Sequence, residues 1–209
     1  MHSQSDIDSF IKLFNAEIGD ECEPYDLDVL EYILEKNPDC LTDVWDKGSL
    51  QAVCLIEPLS YDYYRFFRDD PGNCFSPSKP YPVLTLKQIT PQVSFWLYVD
   101  TLIVKRQFEN LTRLTYYEEL YEKLKYRWGP YLGQHQNVLV GATAVTTRGR
   151  DLCNDLRGNR GSTTKHSVKD GNEHDHTFFY WNGDDIIDNM GKHLRDLFRS
   201  IGIERNMAG

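Results

Sequence analysis

Helical and strand-like segments that mix without regular alternation predict an α+β fold: a helical N-terminal part packed with a small, mostly antiparallel sheet and a C-terminal helix. Three observations carry this expectation. Apolar residues at helical spacing open the chain (Ile7, Phe10, Ile11, Phe14) and close it (Ile186, Ile187, Met190, Leu194, Leu197, Phe198). Two β-rich segments, 137–147 (NVLVGATAVTT) and 176–181 (HTFFYW), lie in the second half. The 209 residues are 40% apolar and 13% aromatic, enough to fill a core, which excludes a disordered or fibrous chain.

Ser5 or Asp6 caps the first helix, and Pro24 opens a second with Leu27, Leu30, Ile33 and Leu34 inward, stopped by Asn37-Pro38. The run 51–59 (QAVCLIEPL) reads as a buried strand. The stretch 60–82 is irregular: five aromatics within 61–67, a turn at 68–73, then Pro77, Pro80 and Pro82. Residues 83–89 (VLTLKQI) alternate like a strand. Thr90-Pro91 looks like an N-cap and first-turn proline, so 93–110 is read as a helix, although its β-branched and aromatic residues also suit a long strand. A firmer helix over 115–128 ends at Gly129-Pro130, a short one covers 148–157, and the last spans 184–203. The chain reads as one domain, 1–209, which divides at about residue 75 into an acidic helical part (1–75) and an α+β part (76–209).

Charge is unevenly spread. The net is −9, yet residues 1–70 hold 5 basic and 17 acidic side chains, whereas 148–169 hold 6 basic and 2 acidic. An acidic N-terminal surface suits a protein partner, and the basic stretch suits an anion. Five cysteines without a CxxC pair, and an N-terminus without a signal pattern, point to free thiols and an intracellular (cytoplasmic or nuclear) location. The longest apolar run, 93–104, carries Asp100 and is too short for a membrane span of about 20 residues.

The segment 148–176, between the two best strands, combines Arg148, Arg150, Arg157, Arg160, Lys165, His166 and Lys169 with glycines and hydroxyl residues. Phosphate oxygens need donors and positive charge, so these residues are the candidate ligand-binding set for nucleic acid or another phosphate-bearing ligand. Trp128 and Trp181 stand beside basic residues and are candidate stacking platforms for single-stranded RNA, against the plainer reading that these rings are core. His174 and His176 fall on one face of a strand and, with Glu173 or His166, form a candidate zinc or manganese set; the alternative is ordinary surface histidines. Cys153, in basic surroundings, is the thiol expected to have a lowered pKa. The function expected from sequence is therefore a binding protein, with a basic loop for nucleic acid and an acidic surface for a protein. Its alternatives are a metal-assisted phosphodiesterase or nuclease using His166, His174 and His176, and a regulatory protein–protein module. No cofactor is required by the first reading.

Overall fold

Ser3 starts the chain's first helix, α1 (Gln4–Glu17), through a reciprocal cap. Its hydroxyl accepts from the Asp6 N–H, and its own N–H donates to the Asp6 carboxylate at 2.7 Å. The cap thus lies two residues before the expected Ser5. Helix α2 (Leu27–Lys36) is capped by Asp26 and stops before Asn37-Pro38, as its sequence requires. A short 3-10 turn, Pro38–Cys40, leads into strand β1 (Leu41–Asp46). Lys47 and Gly48, both with positive φ (49° and 74°), form a tight turn that returns the chain as strand β2 (Ser49–Ser60). There follow α3 (Asp62–Asp69), β3 (Phe95–Val104), α4 (Asn110–Gln134), β4 (Leu139–Ala144), α5 (Thr147–Asp155), β5 (Asn159–Ser167), β6 (Glu173–Asn182) and α6 (Gly183–Ser200). This is a computed structural model, which describes residues 3–19, 25–71, 83–90, 93–106, 110–134, 138–167 and 173–204. Pro24 and the expected division at residue 75 lie outside them.

The strands form one six-stranded sheet in the order β1-β2-β3-β4-β6-β5, antiparallel throughout except for β3 beside β4. The predicted α+β class, with its mostly antiparallel sheet and flanking N- and C-terminal helices, is the class observed. Helices α1, α2 and α3 cover one face, through Phe10, Phe14, Leu30, Ile33 and Phe67 against Leu55, Trp96 and Phe178. Helices α4, α5 and α6 cover the other, through Leu120, Leu124, Trp128, Met190 and Leu194 against Ile56, Leu97, Val140 and Trp181. Each strand thus feeds two cores, which is why β2 is buried along almost its whole length.

Five sequence expectations change. The expected helix at 93–110 is β3, because its residues pair with β2 on one side and β4 on the other and the Thr90-Pro91 signal is overridden. Residues 83–89 make a single bridge, Leu59 to Val83, and then turns. The irregular stretch after residue 60 contains α3. Helix α4 runs through Gly129-Pro130 to Gln134; Pro130 sits on its exposed face, where one lost backbone bond is replaced by water. The basic segment is not a loop: it holds α5 and β5, and β5 pairs with β6.

Candidate functional site: a gap between two parallel strands

Opposite Leu55 and Ile56 of β2 stand Thr101 and Val99 of β3, so Asp100 has no partner in the ladder and forms a bulge. A bulge bends its strand and aims an extra side chain, and here it coincides with the end of another pairing. Strands β3 and β4 are bonded only from Trp96–Leu139 to Val99–Ala142, yet β3 continues to Val104 and β4 to Ala144. Beyond Val99 the two strands part, and a cavity of about 170 Å³ occupies the gap. Its lining comes from both faces of the sheet: Phe14, Ile18, Tyr25 and Asp100 on the α1 face, and Leu124, Trp128, Cys153 and Met190 on the α4 face. The gap is thus a passage through the sheet.

At the rim formed by Ile18, Leu102, Thr146, Gly149 and Leu152 this cavity meets a second, of about 540 Å³. The larger cavity lies between the end of β3 and helices α4, α5 and α6, and holds Arg106, Arg113, Arg148 and His193 together with the carboxylates of Glu17, Asp151 and Asp155. Arg106 is committed to α1, with an ion pair to Glu17 at 3.1 Å and a bond to the Glu17 carbonyl at 2.6 Å. Arg113 and Arg148 make no ion pair among the described residues. The Tyr117 hydroxyl is buried there without a hydrogen-bond partner, as are Trp128 Nε1 and Thr143 Oγ1 in the smaller cavity.

Asp100 is held in place by the Tyr25 hydroxyl, which donates at 2.7 Å, and by Thr101 Oγ1 at 2.9 Å. Burial raises its pKa, and these two bonds oppose the rise. Glu57, buried on β2, is pushed further: burial, then the Asp100 charge, hold its carboxyl well above the usual range. The thiols facing the smaller cavity are inert. Burial raises Cys54, and pushes Cys153 up to about 12, the reverse of the expectation from its basic neighbours.

The residues singled out from sequence are not brought together. Arg150 is neutralised by Asp175 at 3.7 Å and Lys165 by Glu173 at 3.3 Å. Arg157 is exposed at the end of α5, and Arg160 is exposed on β5, 3.4 Å from Thr163 Oγ1. Arg148 alone of this set lines the large cavity. Lys169 lies outside the described residues. His166 and His174 are Cα partners across the β5–β6 pair, and His176 is buried. No group of three potential ligands that could hold zinc or manganese occurs among the described residues. Trp128 and Trp181 are core side chains, 1% and 3% exposed, so neither offers a face to a base. Much of the acidic excess of residues 1–70 is engaged in holding the fold, not displayed for a partner: Glu17 on Arg106, Asp46 on Tyr116, Asp26 on the α2 cap, Glu57 in the core. Sequence reading missed Asp100, Glu57 and Tyr25. The available signal was a lone carboxylate inside each of two apolar strands, where an uncompensated charge is too costly to occur by accident.

The mixed six-stranded sheet and its flanking helices have the fold of solved N-acetyltransferase structures. No family model and no curated protein matches the chain in sequence. Solved structures match in fold. The polyamine N-acetyltransferase of Drosophila melanogaster, which forms N-acetylagmatine, is 14% identical with a TM-score of 0.54, over 87% of this chain and 97% of that one. A chain of the NatC complex bound to Gag peptide and CoA is 12% identical with a TM-score of 0.53, over 86% and 92%. An agmatine N-acetyltransferase variant, without ligand, is 17% identical with a TM-score of 0.52, over 86% and 96%. This likeness, with the dispersed basic residues and buried tryptophans, overturns the expectation of nucleic-acid binding. It likewise overturns the metal-assisted nuclease and the purely regulatory interaction module. Among the described residues no helix is long and apolar enough to cross a membrane.

Proposed function

We propose that this chain transfers an acyl group from a coenzyme A thioester to an amine. The observation that carries this reading is the passage between β3 and β4, with the Asp100 carboxyl at one end and, at the other, a cavity that holds Arg113 and Arg148. The residues present suit such a donor. Arg113 and Arg148 are placed for its phosphates, and the open edge of β3 beyond Val99 offers backbone groups to its amide-bearing arm. The chain from Lys105 to Asn110 contains no glycine, so side-chain cations, not a glycine-lined turn, meet the negative charge. The bound thioester supplies an electrophilic acyl carbon and a thiol leaving group.

The protein's own groups do the rest. Asp100, fixed by Tyr25 and Thr101, takes the proton that the amine loses as its nitrogen bonds to the acyl carbon and the carbon–sulfur bond breaks. Cys54 and Cys153 are too weakly acidic to supply a thiolate, which favours direct transfer over an acyl-enzyme. The amine class of acceptor is supported by the polyamine and agmatine enzymes of the same fold.

The test uses the full chain with acetyl-CoA and an amine panel that includes agmatine, spermidine and a peptide N-terminus. Thiol release that depends on the amine is the expected result. In Asp100→Asn it should fall by about a hundredfold or more, the usual worth of a positioned base, while CoA still raises the melting temperature. Absence of both thiol release and stabilisation by CoA overturns the reading.

A further inference from the structure

We propose that Thr143 holds the acceptor nitrogen opposite Asp100, and that the acceptor is therefore a primary amine. The inference rests on the acyl-transfer reading and names the acceptor class. Val99 and Ala142 are the last residues paired between β3 and β4, so Asp100 and Thr143 come next on the two sides of the gap. Both line it, and both lie on its α1 face. For Asp100 the bond from Tyr25 fixes that face. For Thr143 the strand alternation does, since Leu139 and Val145 pack in the core under α1, and Val140 and Ala144 in the core under α4.

Each of these side chains keeps an oxygen that the protein does not use. The bonds from Tyr25 and Thr101 both end on Asp100 Oδ2, and none among the described residues ends on Oδ1. Thr143 Oγ1 is buried and has no hydrogen-bond partner. A buried hydroxyl left unmatched is costly, and an N–H of a bound ligand removes that cost. Neighbouring strands lie about 4.8 Å apart where they pair, and these two start to part at that point. One nitrogen, bonded at about 2.9 Å to an oxygen on each side, spans such a gap. A primary amine brings two N–H groups to the two oxygens, and a secondary amine brings one. As the nitrogen bonds to the acyl carbon and the carbon–sulfur bond breaks, one proton passes to Asp100 Oδ1 and then to the departing thiolate, which leaves as the thiol. The second N–H stays on the product amide and remains donated to Thr143 throughout.

The experiment measures thiol release by the full chain from acetyl-CoA with agmatine and with butylamine, each against its derivative methylated on the reacting nitrogen. The primary amines are expected to exceed their methylated forms in kcat/KM by about tenfold or more, the worth of the second hydrogen bond. Thr143→Val keeps the volume of the side chain and removes the hydroxyl. It should lower kcat/KM for the primary amines by about tenfold and leave the methylated ones within about twofold, so that the preference shrinks. Thr143→Ser should keep the parent's preference. A purely structural threonine would instead lower both kinds of amine alike. Circular dichroism checks the fold, and Thr143→Ala is read in the same way if the valine variant does not fold. A parent preference near one, an equal loss with both kinds of amine, or no loss overturns the role of Thr143 and leaves the acyl-transfer reading intact. Absence of thiol release with every amine overturns the role of Thr143, and joined with absence of stabilisation by CoA it overturns both.

Discussion

A carboxyl group whose pKa is raised by folding makes stability depend on pH, and Glu57 is such a group. Its ordinary value is 4.5, and in the fold it lies well above that, through burial and then through Asp100. The folded chain therefore keeps a proton that the unfolded chain releases. The stabilising balance is complete below about pH 4.5 and is lost as pH rises toward the folded value. Glu57→Gln removes the proton without altering the shape. Thermal melts from pH 4 to pH 8 should show little difference between variant and parent at the acid end, and a growing advantage for the variant as pH rises. An advantage that does not change with pH would mean that Glu57 ionises as an ordinary carboxylate. Tyr25 acts at the same scale: its hydroxyl bond to Asp100 joins residues 75 positions apart, a contact that no local pattern announces.

Among the elements, α1, α6 and β6 were legible because each fits a single period. The Phe10 and Phe14 spacing suits a helix, and the short run of consecutive aromatics in HTFFYW suits a strand buried on both faces. Strand β3 was not legible. FWLYVDTLIV satisfies both periods, and its state is decided by β2 and β4, which meet it only in three dimensions. The candidate site inherited that ambiguity, since a bulge at Asp100 cannot be read in a segment taken for a helix. Two further contacts make testable claims about how elements meet. Gly141 of β4 lies where an added Cβ would come within 2.7 Å of the buried Trp96 and Phe178 rings. Gly141→Ala should therefore cost about 1–3 kcal/mol in urea unfolding, the usual penalty for overpacking. Arg127 of α4 clamps the start of β1, with Nη1 at 3.0 Å from the Asp39 carbonyl, 2.6 Å from that of Leu41 and 3.0 Å from Thr42 Oγ1. A lysine ammonium lacks that planar fork, so Arg127→Lys should lower stability by about 1 kcal/mol, measured in the same way.

On the whole molecule, a net charge of −9 repels anions while the cavity between α4, α5 and α6 carries Arg113 and Arg148. Under the proposed acyl transfer, those two arginines, set against Asp151 and Asp155 on the same lining, hold the phosphates of the donor. Arg113→Ala and Arg148→Ala should each weaken CoA binding by about tenfold, the worth of one charge-assisted hydrogen bond. Calorimetric titrations at two salt concentrations should show weaker binding at the higher one; affinities indifferent to both arginines would place the phosphates elsewhere. The passage through the sheet has a kinetic corollary. Under the proposed acyl transfer, a gap lined from both faces of the sheet gives donor and acceptor separate walls to rest on, so initial-rate plots should intersect rather than run parallel, the signature of a ternary complex.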